Sequence, residues 1–168
     1  FTTMNIDSIT FSPNCKKITV VVSDCVNNIT ISYNNLITNA TYSAGNLTPN
    51  GDDIVVWEEY VTVLEPTVSA INGVINISAT DVSDSSSQEF SSAVASCELY
   101  CCVAKLVEEG INCTCNCSKC DDDIKTAEKV HLLIKSAEAS ANQGKDTDAV
   151  DKYNKAKNYC TSTCGCGC

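Results

Sequence analysis

The chain has 168 residues, with 21 acidic residues against eleven cations and a formal charge of −10. All the cations are lysine, thirteen residues are cysteine and a single residue is histidine. No apolar run is long enough to span a bilayer. An acidic chain without the arginine fork is ill suited to DNA or RNA, and one histidine cannot supply a His pair or a three-His metal site. The length suits one ordinary domain, or a small β domain with a helical appendage. The chain opens Phe1-Thr2-Thr3-Met4 with no leader in view, which leaves either a processed N-terminus or a start at Met4.

Residues 1–82 read as β structure. Ile6, Ile9 and Phe11 mark a first short run, and Cys15–Val22 is a second, rich in β-branched residues. Asn28–Ser32, Leu36–Tyr42, Asp53–Leu64, Val68–Ile71 and Val74–Ala79 complete the set. Turn signals separate them, the strongest being Asn72-Gly73, which suits a two-residue hairpin. About seven short strands with regular turns predict an antiparallel β-sandwich of the Ig-like kind.

Residues 83–88, Ser-Asp-Ser-Ser-Ser-Gln, read as a polar linker, and residues 89–168 as a Cys-rich helical domain. Phe90, Val94, Cys97, Cys101 and Ala104 share one helical face, and Gly110 is a natural C-cap. Asp121-Asp122-Asp123 begins a second helix whose apolar face is Ile124, Ala127, Val130, Ile134, Ala137 and Ala141. Gly144 breaks it, and a third helix carries Ala149, Tyr153, Ala156 and Cys160 on one side. The expected class is therefore α+β: a sandwich followed by a helical hairpin or three-helix unit.

The short connection at Gly144 makes the last two helices antiparallel neighbours. That topology brings the tail cysteines, Cys160, Cys164, Cys166 and Cys168, beside the loop cysteines, Cys113, Cys115, Cys117 and Cys120. With Cys97, Cys101 and Cys102 they predict disulfide staples of an oxidised, extracellular chain. Cys15 and Cys25 flank a strand and could pair. The alternative is zinc. Cys117-x2-Cys120 has ligand spacing, and Cys164 and Cys166 could complete a four-thiolate site in a monomeric zinc-binding or interaction module. Six Asn-x-Ser/Thr sequons, at Asn28, Asn39, Asn46, Asn76, Asn112 and Asn116, are glycan acceptors if the chain is a eukaryotic secreted protein.

Nothing announces an enzyme. There is no Gly-rich phosphate loop, no GxSxG and no nucleophile–His arrangement. His131 reads as a helix packing residue, Trp57 and Tyr60 as sheet core or interface anchors, and Asp121–Asp123 as a solvated helix start. No cofactor, small-molecule substrate or nucleic acid is expected.

The β half is marked by its opening, Ile6-x2-Ile9-x-Phe11-Ser-Pro-x-Cys15-x2-Ile18-Thr-Val, and by the hairpin ending Gly73-Val-Ile-Asn-Ile-Ser. The helical half carries Cys97-x-Leu-Tyr-Cys101-Cys102-Val-Ala-Lys-Leu106-Val, a CxCxCx2C loop and a helical hairpin. This layout resembles structural proteins of tailed phages and related uncultured viruses. The resemblance implies a non-enzymatic assembly component and assigns no functional residue. The Phe1 start and the CGCGC tail depart from it, and a processed N-terminus with many sequons suits a pilus-like or fibril subunit equally well. The expected function is a self-assembling subunit of an extracellular filament or virion appendage, whose partners are copies of itself. Residues 1–12 are a candidate exchanged strand.

Overall fold

A computed structural model describes residues 4–112 and 122–161. The chain is α+β and divides into two compact units, residues 1–95 and residues 96–168. Strands come first and long helices last, as the hydropathy pattern predicts.

The first unit holds seven strands in two antiparallel sheets. They are β1 (Asn5–Phe11), β2 (Lys17–Ser23), β3 (Ile29–Asn35), β4 (Thr41–Leu47), β5 (Val55–Tyr60), β6 (Gly73–Asp81) and β7 (Gln88–Ala95). Sheet A runs β1-β2-β5 and sheet B runs β4-β3-β6-β7. A single short helix, α1 (Val61–Leu64), follows β5. Alternation of β-branched and polar residues turns one face of each strand inward. Ile18, Val20 and Val22 of β2 are buried, with Val55 and Trp57 of β5. Sheet B contributes Ile29, Ile31 and Tyr33 of β3 and Ile75, Ile77 and Ala79 of β6. Tyr42 of β4 stacks on Trp57, ring centroids 6.4 Å apart, so side chains of the two sheets meet.

Several element boundaries differ from those the sequence predicts. Gln88–Ala95 is strand β7, paired with β6 in continuous register from Gly73↔Ala95 to Thr80↔Gln88, and not the start of a helix. Residues 83–87 of the predicted linker therefore turn between two strands of one sheet, Gln88 opens β7, and the unit boundary falls at Ala95. The four-residue spacing of Phe90 and Val94 imitates a helical stripe, but both also lie on one face of a strand. Residues 65–72 form no strand, so Asn72-Gly73 is not a hairpin turn. Gly73 has φ +147°, and a Cβ there would collide with the Asn35 side chain. Glycine is required for that close approach.

The second unit holds α2 (Cys97–Asn112), α3 (Asp123–Asn142) and α4 (Asp146–Thr161), with α3 packed against both others. Leu99, Cys102 and Leu106 are buried on α2. The predicted stripe of α3 is buried from Ala127 to Ala141, while Ile124 is partly exposed. On α4 the buried residues are Ala149, Tyr153 and Ala156. Alanine at so many contact positions brings the helix axes close but buries little apolar area per residue. Gly110 lies inside α2 and caps nothing. A Cβ on it would stand 2.7 Å from Ile124 Cγ1, so its role is the close approach of α2 to α3. Gly144, at φ +73°, makes the turn between α3 and α4.

Candidate functional site

The residues with most to say about function are those that leave backbone bonding capacity open. In sheet A, β5 is bonded on one side only, to β2, from Lys17↔Tyr60 to Val22↔Val55. Its inward residues, Val55 and Trp57, hold it in the core. Its outward residues are Val56, 57 % exposed, Glu58, and Tyr60, 59 % exposed. Glu58 reaches back to Lys17 at 3.8 Å, an exposed pair of small energetic weight. In sheet B, β4 is likewise bonded on one side, to β3. Its sequence, TYSAGNL, carries no charge and no proline, two of the devices that blunt a sheet edge, although its register with β3 shifts by one residue between Leu47 and Ala44.

The C-terminal end of β5 is fixed by a buried polar cluster. Glu65, just beyond α1, is buried and accepts three hydrogen bonds. Tyr33 donates at 2.6 Å, Thr38 at 2.7 Å and Asn35 at 3.1 Å. None of the three donors is a cation, so the carboxylate is held by dipoles alone. Asn35 also donates to Asn72 O at 3.1 Å and accepts from the Ile37 and Thr38 amides. Burial, then the hydrogen bond and charge of Glu65, push the Tyr33 hydroxyl far above its ordinary range. A second anchor is the bond from Ile71 N to Cys15 O, 2.6 Å.

The cysteines divide. Cys102 on α2 and Cys160 on α4 form a disulfide with Cα atoms 6.1 Å apart, closing a separation of 58 residues. Cys15 and Cys97 are also disulfide-bonded. Cys25 and Cys101 are not: Cys25 is a buried thiol and Cys101 an exposed one. The expected Cys15–Cys25 bridge is therefore corrected. The seven residues of β2 separate the two, and an extended strand of that length spans about 23 Å. A disulfide tolerates about 7 Å between Cα atoms. Burial, with lesser pushes from Asp24, Asp53 and Asp7, raises the Cys25 thiol. Cys113, Cys115, Cys117, Cys120, Cys164, Cys166 and Cys168 lie outside the described residues, and with them the whole four-thiolate zinc alternative. Among the described residues, no group of three or more His, Cys, Asp or Glu side chains is placed to hold a metal.

Of the sequons, Asn39 and Asn46 are exposed in left-handed backbone positions of the β3–β4 hairpin. Asn28 donates to Asn46 Oδ1 at 2.8 Å, and Asn76, in mid-β6, donates to Ser92 Oγ at 2.9 Å. Asn112 ends α2, and Asn116 lies outside the described residues. The predicted strand 1–12 is paired in place: Asn5–Phe11 is β1, bonded to β2 from Asn5↔Ser23 to Phe11↔Ile18. His131 lies edge-on to Tyr100, centroids 6.0 Å apart, in a surface cluster of α2 and α3 side chains. Lys135 sits over the same Tyr100 ring at 5.7 Å, and Tyr100 donates to Glu138 at 3.2 Å.

Among the described residues, no helix is long and apolar enough to cross a membrane. The disulfides are compatible with an oxidising, extracellular compartment. Comparison with known protein families and with curated proteins returned no match.

Proposed function

We propose that the chain is a non-enzymatic structural subunit that self-assembles edge to edge into an extracellular filament or virion appendage. The observation that carries the reading is two of the four edge strands, β5 with its exposed Val56 and Tyr60, and β4 with no charge at all. Strand addition at such edges gains main-chain hydrogen bonds between copies. Two copies of β5 are a poor match. An antiparallel pair of two β5 strands centred on Glu58 sets the Glu58 carboxylates of the two copies opposite one another, and like charges across a ladder destabilise it. β5 against the uncharged β4 of the next copy avoids that repulsion. Such a contact is heterologous and, when it does not close, propagates as a filament. Exchange of residues 1–12 is not needed for it.

The finer fold belongs to the same reading. The sheet orders β1-β2-β5 and β4-β3-β6-β7 are those of an Ig-like sandwich whose fourth strand has joined the second sheet. The helices after it make a three-helix unit. Both suit the resemblance to tailed-phage and viral structural proteins.

The test is sedimentation velocity on the full, non-reduced chain over a wide concentration range, beside Val56→Lys and Tyr60→Lys. Large assemblies that both variants abolish, with unchanged thermal unfolding, are expected. A parent that stays monomeric, or variants that assemble as well as the parent, would overturn the reading.

A further inference from the structure

The outer face of sheet B holds a groove of about 410 Å3, within the size range of small-molecule clefts. Ser32 and Asn34 of β3, Thr41 and Ser43 of β4, and Asn76 and Ser78 of β6 line it. Strand register assembles them. Ser32 sits opposite both Ser43 and Ser78, and Asn34 opposite both Thr41 and Asn76. The hydroxyls of Ser32 and Ser43 are 3.1 Å apart. Opposite Ser78, on β7, stands Phe90, 62 % exposed, a bare phenyl ring beside the polar groove.

We infer that this groove binds a neutral oligosaccharide. The chemistry of the lining selects the ligand. No lining residue is charged, in a chain that carries 21 acids and eleven lysines, so neither a phosphate nor a cation finds its counter-charge. An apolar ligand would strip water from hydroxyls and amides without replacing their hydrogen bonds. A peptide strand pairs with sheet edges through its main chain, and a sheet face presents side chains only. A sugar satisfies both halves of the site. Its hydroxyls each donate and accept, matching Ser, Thr and Asn side chains that do the same. The C–H face of its ring covers an exposed phenyl. The small lining side chains set the depth, and Phe90 stands one strand beyond them, opposite Ser78.

The test is calorimetric titration of the full, non-reduced chain with cellohexaose, chitohexaose and maltohexaose. Saturable binding of at least one is expected. Phe90→Ala and Asn34→Ala should each weaken it about tenfold, with unchanged Trp57 fluorescence and thermal unfolding. Val56→Lys should bind as the parent does, which separates this site from the assembly edge. Three results would overturn the inference. The first is no binding of any of the three at millimolar concentration. The second is binding indifferent to Phe90→Ala, or a Phe90→Ala effect on sedimentation alone, which makes the face a contact between copies. The third is a glycan found covalently on Asn76 of the native chain, because it would fill the groove itself.

Discussion

The two units of this chain solve the stability problem with different materials. The sheet unit buries large β-branched side chains in alternation and adds a buried polar cluster around Glu65. The helical unit has a core in which alanine fills much of the contact surface, and a disulfide joins its first helix to its last. Burying a β-branched side chain stabilises by about 1.5–3 kcal/mol, whereas an alanine contributes far less. The Cys102–Cys160 link lies where apolar area is scarce, although Cys15 of the sheet unit is disulfide-bonded as well. The comparison also assigns tasks: the sheet unit presents edges and a face to the outside, while the helical unit is closed by its cross-link.

That contrast can be broken experimentally, and the largest effect should come from the helical unit. Replacing both Cys102 and Cys160 by alanine frees a 58-residue separation and should cost about 4 kcal/mol by loop-closure entropy. Loss of ellipticity at 222 nm with Trp57 fluorescence intact is the expected signature, because the only tryptophan lies in the sheet unit. Equal loss from both units would merge them into one cooperative block.

Glu65→Ala is the matching test in the sheet unit. It strands the buried Tyr33 hydroxyl, removes one of the two acceptors of buried Asn35 and frees the exposed Thr38 hydroxyl to water, and should cost about 2 kcal/mol. Here the Trp57 signal should fall to a lower temperature while the helical signal stays. A variant with parental stability would mean that water replaces the carboxylate.

A third test uses pH. The Tyr33 hydroxyl is raised in the fold, so its contribution is fully present below the ordinary tyrosine range, about pH 10, and is lost as pH rises above it. Alkaline unfolding of the sheet unit should begin near that pH, and Tyr33→Phe should blunt it. An alkaline limb identical in the variant would assign the effect to other groups.

The smallest effect is expected at the α3–α4 turn. Asp148 receives hydrogen bonds from Lys152 at 2.8 Å and Ser140, which lower its carboxyl. Its contribution is present above the ordinary carboxylate range and lost as pH falls through the depressed value. The helical unit should therefore weaken slightly in acid, and Asp148→Asn should remove that part of the slope in a thermal-unfolding series.

How much of the fold is legible in the sequence depends on the range over which each feature is encoded. The alternation in Lys17–Ser23 and the stripe from Ala127 to Ala141 are local, and both elements form where the pattern puts them. The strand β4 is not local. Thr41–Leu47 has little β-branched character and owes its conformation to pairing with β3. β7 is hidden because Phe90 and Val94 fit a helical period as well as a strand face. Glu65 reads as a turn residue beside Pro66, and its partners lie 27 to 32 positions away. The groove is the extreme case. Ser32, Ser43 and Ser78 each look like an ordinary solvent-facing serine, and only the register of three strands makes them neighbours.

The most direct test of edge-to-edge assembly is electron microscopy of the natively purified, non-reduced chain, beside Val56→Lys prepared in the same way. The account predicts ordered fibrils from the parent and isolated particles from the variant. Isolated particles from both, or fibrils from both, would contradict it.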